Sequence, residues 1–317
     1  MLAAGLETPH GLPARSAASA ARQWPRLDVP NVLWFFGAFV TATTSVLVVD
    51  RVPESHRDVW ELIVSLAFFT AYAVAATLLW RRFESRIPGG VMAAVAAAMV
   101  PAIGYGFTNL IGTLPEEDSS FDPFQGFSGS VFGIGVATTA VALAAFLVTR
   151  VPFLFFVVTI ATQITAQLLL PALVPDPGDD AHALTAIVTG GGLVLIGLVF
   201  DAQRRRQDAF WFHVVGLFGV AAALGYFSTG FEKSSERGWI PMLAAGAVVL
   251  LAAVPLWRAT WATFGAAGVG AALIHYLVKA GSWFTYVLLA IALALFAVGL
   301  VAHRSGVRRI GRRATAV

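Results

Sequence analysis

The feature that most constrains this 317-residue chain is the recurrence of apolar stretches about 20 residues long, separated by short charged or Pro/Gly-bearing breaks. A helix of that length crosses roughly 30 Å of hydrocarbon, so each stretch predicts one membrane span. Ten spans are predicted, at about 31–49, 59–80, 90–113, 129–149, 152–174, 183–200, 209–229, 239–257, 259–278 and 282–302.

The composition agrees with a membrane protein, because 58% of the residues are hydrophobic and only 12% are charged, too few for soluble domains. The predicted fold class is all-α, a polytopic transmembrane helix bundle. The predicted organisation is a ten-span domain over 31–303, between a disordered N-terminal tail (1–30) and a basic C-terminal tail (304–317). The chain has no cysteine, which excludes disulfides, thiolate metal sites and a cysteine nucleophile.

The distribution of charge predicts the orientation. With the N-terminus inside, sixteen of the 21 Lys and Arg residues fall on the inner side and 13 of the 18 acidic residues on the outer side. Cytoplasmic loops carry the excess of basic residues, so both termini are predicted to be cytoplasmic in a bacterial inner membrane. Eight of the nine Trp lie within about a turn of a span end, where indoles favour the interface.

The stretch "DAQRRRQDAFWFHVVG" (201–216) is interpreted as an inner membrane boundary. Its arginines, Arg204 to Arg206, would lie in the cytoplasm and Phe210 to Phe212 at the headgroups. The triplet lacks the broad basic face that nucleic-acid binding uses, so no nucleic-acid partner is expected. His213 lies one turn in from the cytoplasm and is interpreted as an interfacial histidine.

Several phrases also carry a resemblance, in this order: "VLWFFGAFV", "IPGGVMAAVAAAMVPAIGYG", "RVPFLFFVV", "DAQRRRQDAFWFHVVGLFG" and "RATWATFGAAGVGAALIHYL". Over about 31–303 the chain resembles a group of uncharacterised bacterial multispan membrane proteins, classed under a domain of unknown function. The most specific parts are the arginine-rich turn into "FWFH" and the segment "RATWATFGAAGV". The resemblance implies the ten-span layout, and it implies no activity.

Motifs of soluble enzymes are absent from the sequence: it contains no H-E-x-x-H, no P-loop and no G-x-G-x-x-G after a strand. "GFSGS" (126–130) falls short of the G-x-S-x-G motif and precedes a membrane helix rather than a nucleophile elbow. Gly129 and Gly133 form a G-x-x-x-G pair, which predicts a close helix contact. No cofactor is predicted.

Two outer loops are acidic, "PEEDSSFD" (115–122) and "PDPGDD" (175–180). Clustered carboxylates hold Mg²⁺ or Ca²⁺ through hard oxygen ligands, which makes Asp176, Asp179 and Asp180 weak candidates for a metal site. Because proline and glycine favour a turn there, a solvated acidic loop is the preferred interpretation.

Polar side chains inside membrane spans are costly, and each is a functional hypothesis by default. Those in the outer half of the predicted spans are Glu61, Asn109, Gln163, Gln167, His275 and Lys279. Two interpretations stay open: helix ends and interhelical hydrogen bonds, or a shared polar cavity open to the outside. A kink at Pro101 and a loosened sixth span at Gly190 to Gly192 would favour the cavity, because broken helices line many transporter sites.

Three functions follow as hypotheses, all with the lipid bilayer as a partner. The first is a carrier of a small or amphipathic solute, since ten spans divide into two five-span halves of inverted topology. The second is a membrane-embedded enzyme acting on a lipid or isoprenoid, with metal at the outer carboxylates and His275 as acid or base. The third is a scaffold that transports nothing.

Overall fold

The structure is a computed structural model and describes residues 29–53, 55–113, 124, 126–229, 238–280 and 286. Every regular element within those ranges is a helix. In chain order they are α1 Val29–Asp50, α2 Arg57–Arg81, α3 Arg86–Ala98, α4 Val100–Leu110, α5 Gly129–Thr149, α6 Leu154–Leu173, α7 Asp179–Ala202, α8 Arg206–Thr229, α9 Trp239–Leu256 and α10 Ala259–Ala280.

Eight helical segments in the described part are long and apolar enough to cross a membrane, which is compatible with an integral multi-pass protein. Seven are α2 and α5 to α10, and the eighth is α3 and α4 taken together as Ile87–Leu110. The apolar part of α1, Phe36–Asp50, is shorter than a full span, and the tenth predicted span (282–302) lies outside the described residues apart from 286. The count of ten therefore stays a prediction.

Large apolar side chains on the helices face outward, as a bilayer requires. Val188 on α7 is 74% exposed, and Leu251 on α9 is 73% exposed. Water-soluble monomers rarely expose contiguous apolar surface on this scale, because each such side chain would gain by burial.

The chain divides into two compact units. Unit 1 comprises Met1–Gly112 and Ala144–Leu154. Within it α2 packs against α3 and α4, and α1 packs against α3. A small core forms where Ala38 of α1 meets Val91 and Val95 of α3.

Unit 2 comprises Thr113–Leu143 and Phe155–Val317. Its closest helix pairs are α7 with α8 and α9 with α10, and α8 also packs against both α9 and α10. The core of this second group contains Leu217 of α8, Ala253 of α9 and Trp261 of α10.

The sequence predicts a kink at Pro101 and a loosened helix at Gly190 to Gly192, and the two predictions have different outcomes. The third predicted span breaks at Met99, two residues before Pro101, because a proline inside a helix removes a hydrogen bond and crowds the preceding turn. The loosening predicted at Gly190 to Gly192 is wrong, since α7 is one continuous helix over this stretch. Gly190 instead allows a close approach: a Cβ atom there would lie 2.6 Å from the carbonyl oxygen of Gly216.

The close contact predicted from the G-x-x-x-G pair is not formed among the described residues. A Cβ atom at Gly129 or Gly133 would have no neighbouring heavy atom within 4 Å. Gly135 makes the contact instead, because a Cβ atom there would overlap the hydroxyl of Thr165 on α6. The motif predicted the right helix and the wrong face.

Candidate functional site

Unit 2 carries a polar ladder between α6 and α7, formed by Gln163, Gln167, His182 and the carbonyl group of Ala186. The Gln167 Nε2 donates to the carbonyl oxygen of His182 over 3.1 Å, and its Oε1 lies 2.9 Å from the His182 Nδ1. One turn along α6, the Gln163 Nε2 donates to the Ala186 carbonyl oxygen over 3.4 Å. The spacing of four on each helix puts both rungs on the facing sides of an antiparallel pair.

The ladder leaves two buried atoms without a partner. An amide oxygen only accepts, so the Nδ1 of neutral His182 carries the proton that Gln167 Oε1 receives, and the Nε2 becomes an acceptor. In the same way, the donation from the Gln163 amide to a carbonyl oxygen leaves its Oε1 as an acceptor. Both His182 Nε2 and Gln163 Oε1 are buried with no hydrogen-bond partner among the described residues.

Aromatic and acidic residues surround the end of the ladder nearest the start of α7. Phe124 meets the His182 ring edge to face, with the ring centroids 6.3 Å apart. The Tyr226 hydroxyl of α8 donates to Asp179 Oδ2 over 3.2 Å. Asp179 and Asp180 occupy the first turn of α7, where negative charge favours the helix dipole.

Away from that end, α7 and α8 pack closely against each other. Gly190 and Gly216 bring the two backbones together, because any side chain at either position would strike the opposite carbonyl oxygen. Further along, Phe155 of α6, Phe200 of α7 and Phe212 of α8 form a phenylalanine layer with centroid distances of 5.0, 5.3 and 5.6 Å. The layer fills the junction of three helices with apolar rings.

Beyond the phenylalanine layer lies an Asp–His–Arg cluster formed by Asp201, His213 and Arg258. Asp201 is the penultimate residue of α7, and His213 lies two turns into α8. Arg258 stands between α9 and α10, just after Trp257 ends α9 in the left-handed conformation (φ 53°, ψ 45°). This sharp turn brings Arg258 to the end of the α7–α8 pair.

The Asp201 carboxylate is the centre of the cluster. Arg258 donates to Asp201 Oδ1 through its Nη2, and to Oδ2 through its Nε over 3.2 Å. The His213 Nε2 lies 2.9 Å from Oδ2. Arg258 Nη2 also donates to the carbonyl oxygen of Arg206 over 3.0 Å, so one guanidinium group links the end of α7, the start of α8 and the α9–α10 turn.

The cluster is buried at the end of the bundle. The side chains of His213, Arg258 and Asp201 are 0%, 6% and 13% exposed. His213 fits because Gly197 has no side chain: a Cβ atom there would lie 2.8 Å from the His213 Cε1. Two further atoms here are buried without a partner among the described residues: the Nδ1 of His213 and the Nε1 of Trp261, whose ring meets the His213 ring.

Sequence reasoning interprets His213 as an interfacial residue, and it does not identify His182, Asp201 or Arg258 as site residues. The available signal was the presence of opposite charges at the ends of apolar spans, where an unpaired buried charge is costly. Hydropathy alone could not show that Asp201 and Arg258, 57 residues apart, form a pair.

The other predicted site residues lie in different surroundings. His275 of α10 stacks on Trp239 of α9 with a centroid distance of 4.1 Å, and its Nε2 is buried without a partner. Lys279 lies in the last turn of α10. No hydrogen bond joins Gln163 or Gln167 to His275 in the described part of the chain.

Glu61 and Asn109 belong to unit 1. Glu61 is buried, its Oε1 accepts from Arg57 Nε over 2.7 Å, and its Oε2 has no partner among the described residues. Asn109 lies on α4, three residues after Gly106, which packs against the backbone of Leu62. The shared cavity of all six predicted residues stays a prediction.

The aspartates of "PDPGDD" are exposed, but only Asp176 lies before α7; Asp179 and Asp180 begin that helix and are not part of the predicted loop. "PEEDSSFD" (115–122) lies outside the described residues. Among the described residues, no three His, Asp or Glu side chains are grouped so as to hold a metal ion. The resemblance noted in the sequence stays a prediction: no family model, no curated protein and no solved structure matches the chain.

Proposed function

We propose that this protein is a membrane carrier of a small solute that hydrogen-bonds to the ladder between α6 and α7. The observation that carries the proposal is the pair of buried acceptors without a partner, Gln163 Oε1 and His182 Nε2. Leaving such an atom unpaired costs roughly 1–3 kcal/mol, so a protein with only a structural role gains nothing by keeping two.

The chemistry of the two acceptors defines the class of solute. The Gln163 oxygen only accepts, and neutral His182 with its proton on Nδ1 has only a lone pair on Nε2, so the solute must bring hydrogen-bond donors to both. The exposed carboxylates of Asp179 and Asp180, at the end of the ladder nearest the start of α7, favour cations over anions. A small molecule with an ammonium or amide NH₂ group meets these requirements, and a carboxylate does not.

The packing between the ladder and the Asp–His–Arg cluster supports a carrier over a scaffold. Alternating access needs a barrier on the side from which the solute is shielded. The Gly190–Gly216 contact, the phenylalanine layer and the buried cluster supply three successive barriers along α7 and α8. Under the predicted orientation, in a bacterial inner membrane with cytoplasmic termini, this closed side faces the cytoplasm.

Binding is tested with three probes that share one carbon chain and differ only in the head group: butylammonium, butyramide and butyrate. A ligand at ten times its Kd stabilises the folded protein by about 1.4 kcal/mol, which raises the Tm of the purified protein. Butylammonium and butyramide should raise the Tm, and butyrate should not. Uptake of the radiolabelled probe into proteoliposomes, compared with protein-free liposomes, then tests transport.

The matched variants are Gln163→Leu, which removes an acceptor from the ladder, and Gln203→Leu, which makes the same chemical change at an exposed position after α7. The shift in Tm and the uptake should be lost in Gln163→Leu and kept in Gln203→Leu. A shift that survives in Gln163→Leu, or the absence of any shift with all three probes, would refute this site and favour a scaffold.

A further inference from the structure

We infer that the Nδ1 of His213 is a proton-binding site, and that a proton there releases Arg258 from the end of the α7–α8 pair. The first observation is that the Asp–His–Arg cluster is the only described ion-pair network that joins α7, α8 and the α9–α10 turn. A change at one of its members therefore acts on four helices at once.

The hydrogen bonds define where the proton binds. The carboxylate of Asp201 only accepts, so the Nε2 of neutral His213 carries the hydrogen that faces it. The Nδ1 then holds a lone pair, and it is buried against Gly197 with no partner. The titration site is thus Nδ1, not the nitrogen that bonds the carboxylate.

The charges facing His213 are balanced before that proton arrives. From α7 it meets the Asp201 carboxylate, and from the α9–α10 turn it meets the Arg258 guanidinium. From α10 it meets the Trp261 ring, which does not titrate, with the centroids 5.4 Å apart. On α8 itself the charged residues are Arg206 and Asp208, both in its first turn, and Asp208 pairs with Arg205, the residue before the helix.

A proton on Nδ1 would add a positive charge next to Arg258 and a buried N–H group without an acceptor. Both effects disfavour the closed arrangement, in which Arg258 bonds Asp201 and His213 is buried, since a buried donor loses the water it would otherwise bond. An arrangement in which Nδ1 reaches water holds the proton better, and linkage then shifts the population toward it. Water entering there would also reach the Nε1 of Trp261, which is buried without a partner and belongs to the ring beside His213.

For a carrier, proton binding that opens the closed side would couple solute movement to a proton gradient. This coupling rests on the function proposed above, whereas the binding of a proton at His213 and the opening of the cluster do not. The experiment below uses no solute, so its result is independent of whether the ladder binds one.

The natural absence of cysteine makes the opening measurable with a single introduced thiol. Ala209 is fully buried and lies four residues before His213, on the same side of α8. An Ala209→Cys protein should react slowly with a maleimide at about pH 8 and faster at about pH 5, the two ends of the range over which histidines change charge. Rates are divided by those of Ala202→Cys, an exposed thiol that corrects for the pH dependence of the reagent.

The expected result is a rise in this ratio of up to tenfold per pH unit, the limit for one linked proton, and a flat ratio when His213→Gln is added. Glutamine keeps an N–H donor for Asp201 and does not titrate, and His213→Asn is the second variant if the glutamine protein does not purify. Ala223→Cys, buried further along α8, should stay unreactive at both pH values.

Three results would overturn the inference. The first is a ratio for Ala209→Cys that is flat with pH in the protein that keeps His213; it excludes the switch by itself, even if neither variant folds. The second is a rise that persists in His213→Gln, which assigns the proton to another group. The third is a parallel response of Ala223→Cys, which identifies general unfolding instead of an opening at the cluster.

Discussion

Gly190 of α7 and Gly216 of α8 lie so close that a Cβ atom on either would be 2.6 Å from the carbonyl oxygen of the other. Membrane helices associate through such contacts because lipid supplies no hydrophobic force between them, and small residues let backbones approach. Among the described residues, a Cβ atom at Gly191 or Gly192 would meet no atom of another helix within 4 Å. Gly190 is therefore tightly packed, whereas the two glycines that follow it face open space.

This difference predicts opposite effects for the same substitution. Gly190→Ala should destabilise the protein by about 1–3 kcal/mol, because the backbones must separate. Gly191→Ala and Gly192→Ala should be neutral or stabilise by up to about 1 kcal/mol, since alanine is the better helix former. The free energy of unfolding in detergent micelles measures all three, and equal effects would contradict the packing described.

The buried ion pair is expected to matter more than a surface pair in the same region. Asp201→Asn should cost about 3–5 kcal/mol, because it leaves the charge of Arg258 buried and uncompensated. Asp208→Asn removes a carboxylate that is 15% exposed, about as much as Asp201, but its partner Arg205 is 41% exposed and can be solvated, so the loss should cost at most about 1 kcal/mol. Thermal unfolding of the two variants under identical conditions compares them, and the comparison fails if Asp208→Asn is the more damaging.

The rung between Gln167 and His182 is expected to show a measurable coupling. In a double-mutant cycle of Gln167→Leu and His182→Leu, the coupling energy should be about 0.6 kcal/mol and no more than about 1.7 kcal/mol, the range of hydrogen bonds between membrane helices. A coupling near zero would mean that the two side chains do not contact each other in the membrane.

The orientation is tested with reporters that are active only outside the cytoplasm. A reporter fused after Val317 should be silent, and one inserted between Asp176 and Asp180 should be active, because sixteen of the 21 basic residues are predicted inside. The reverse pattern would invert the side on which the Asp–His–Arg cluster is expected to lie, and so the side from which its proton comes.

Much of the helix content was predictable from sequence. The predicted span 129–149 coincides with α5, Gly129–Thr149, and the predicted span 239–257 differs from α9, Trp239–Leu256, by one residue. The physical reason is local: in hydrocarbon a helix satisfies its own backbone hydrogen bonds, so an apolar stretch of sufficient length needs no other information to become one. Pro101 acts locally in the same way, since its ring disrupts the turn that precedes it.

The tertiary structure alone determines the partner of each polar side chain. The sequence correctly placed Gln163 and Gln167 on one face of a helix, but nothing within that helix specifies His182 as the partner. The sequence suggested an interfacial His213 because it lies one turn from the end of the predicted span 209–229. It is buried because Gly197 leaves space for its ring and Arg258 arrives from a turn 45 residues later. Hydropathy and spacing describe one helix at a time, whereas the pairing of charges depends on which helix ends the packing brings together.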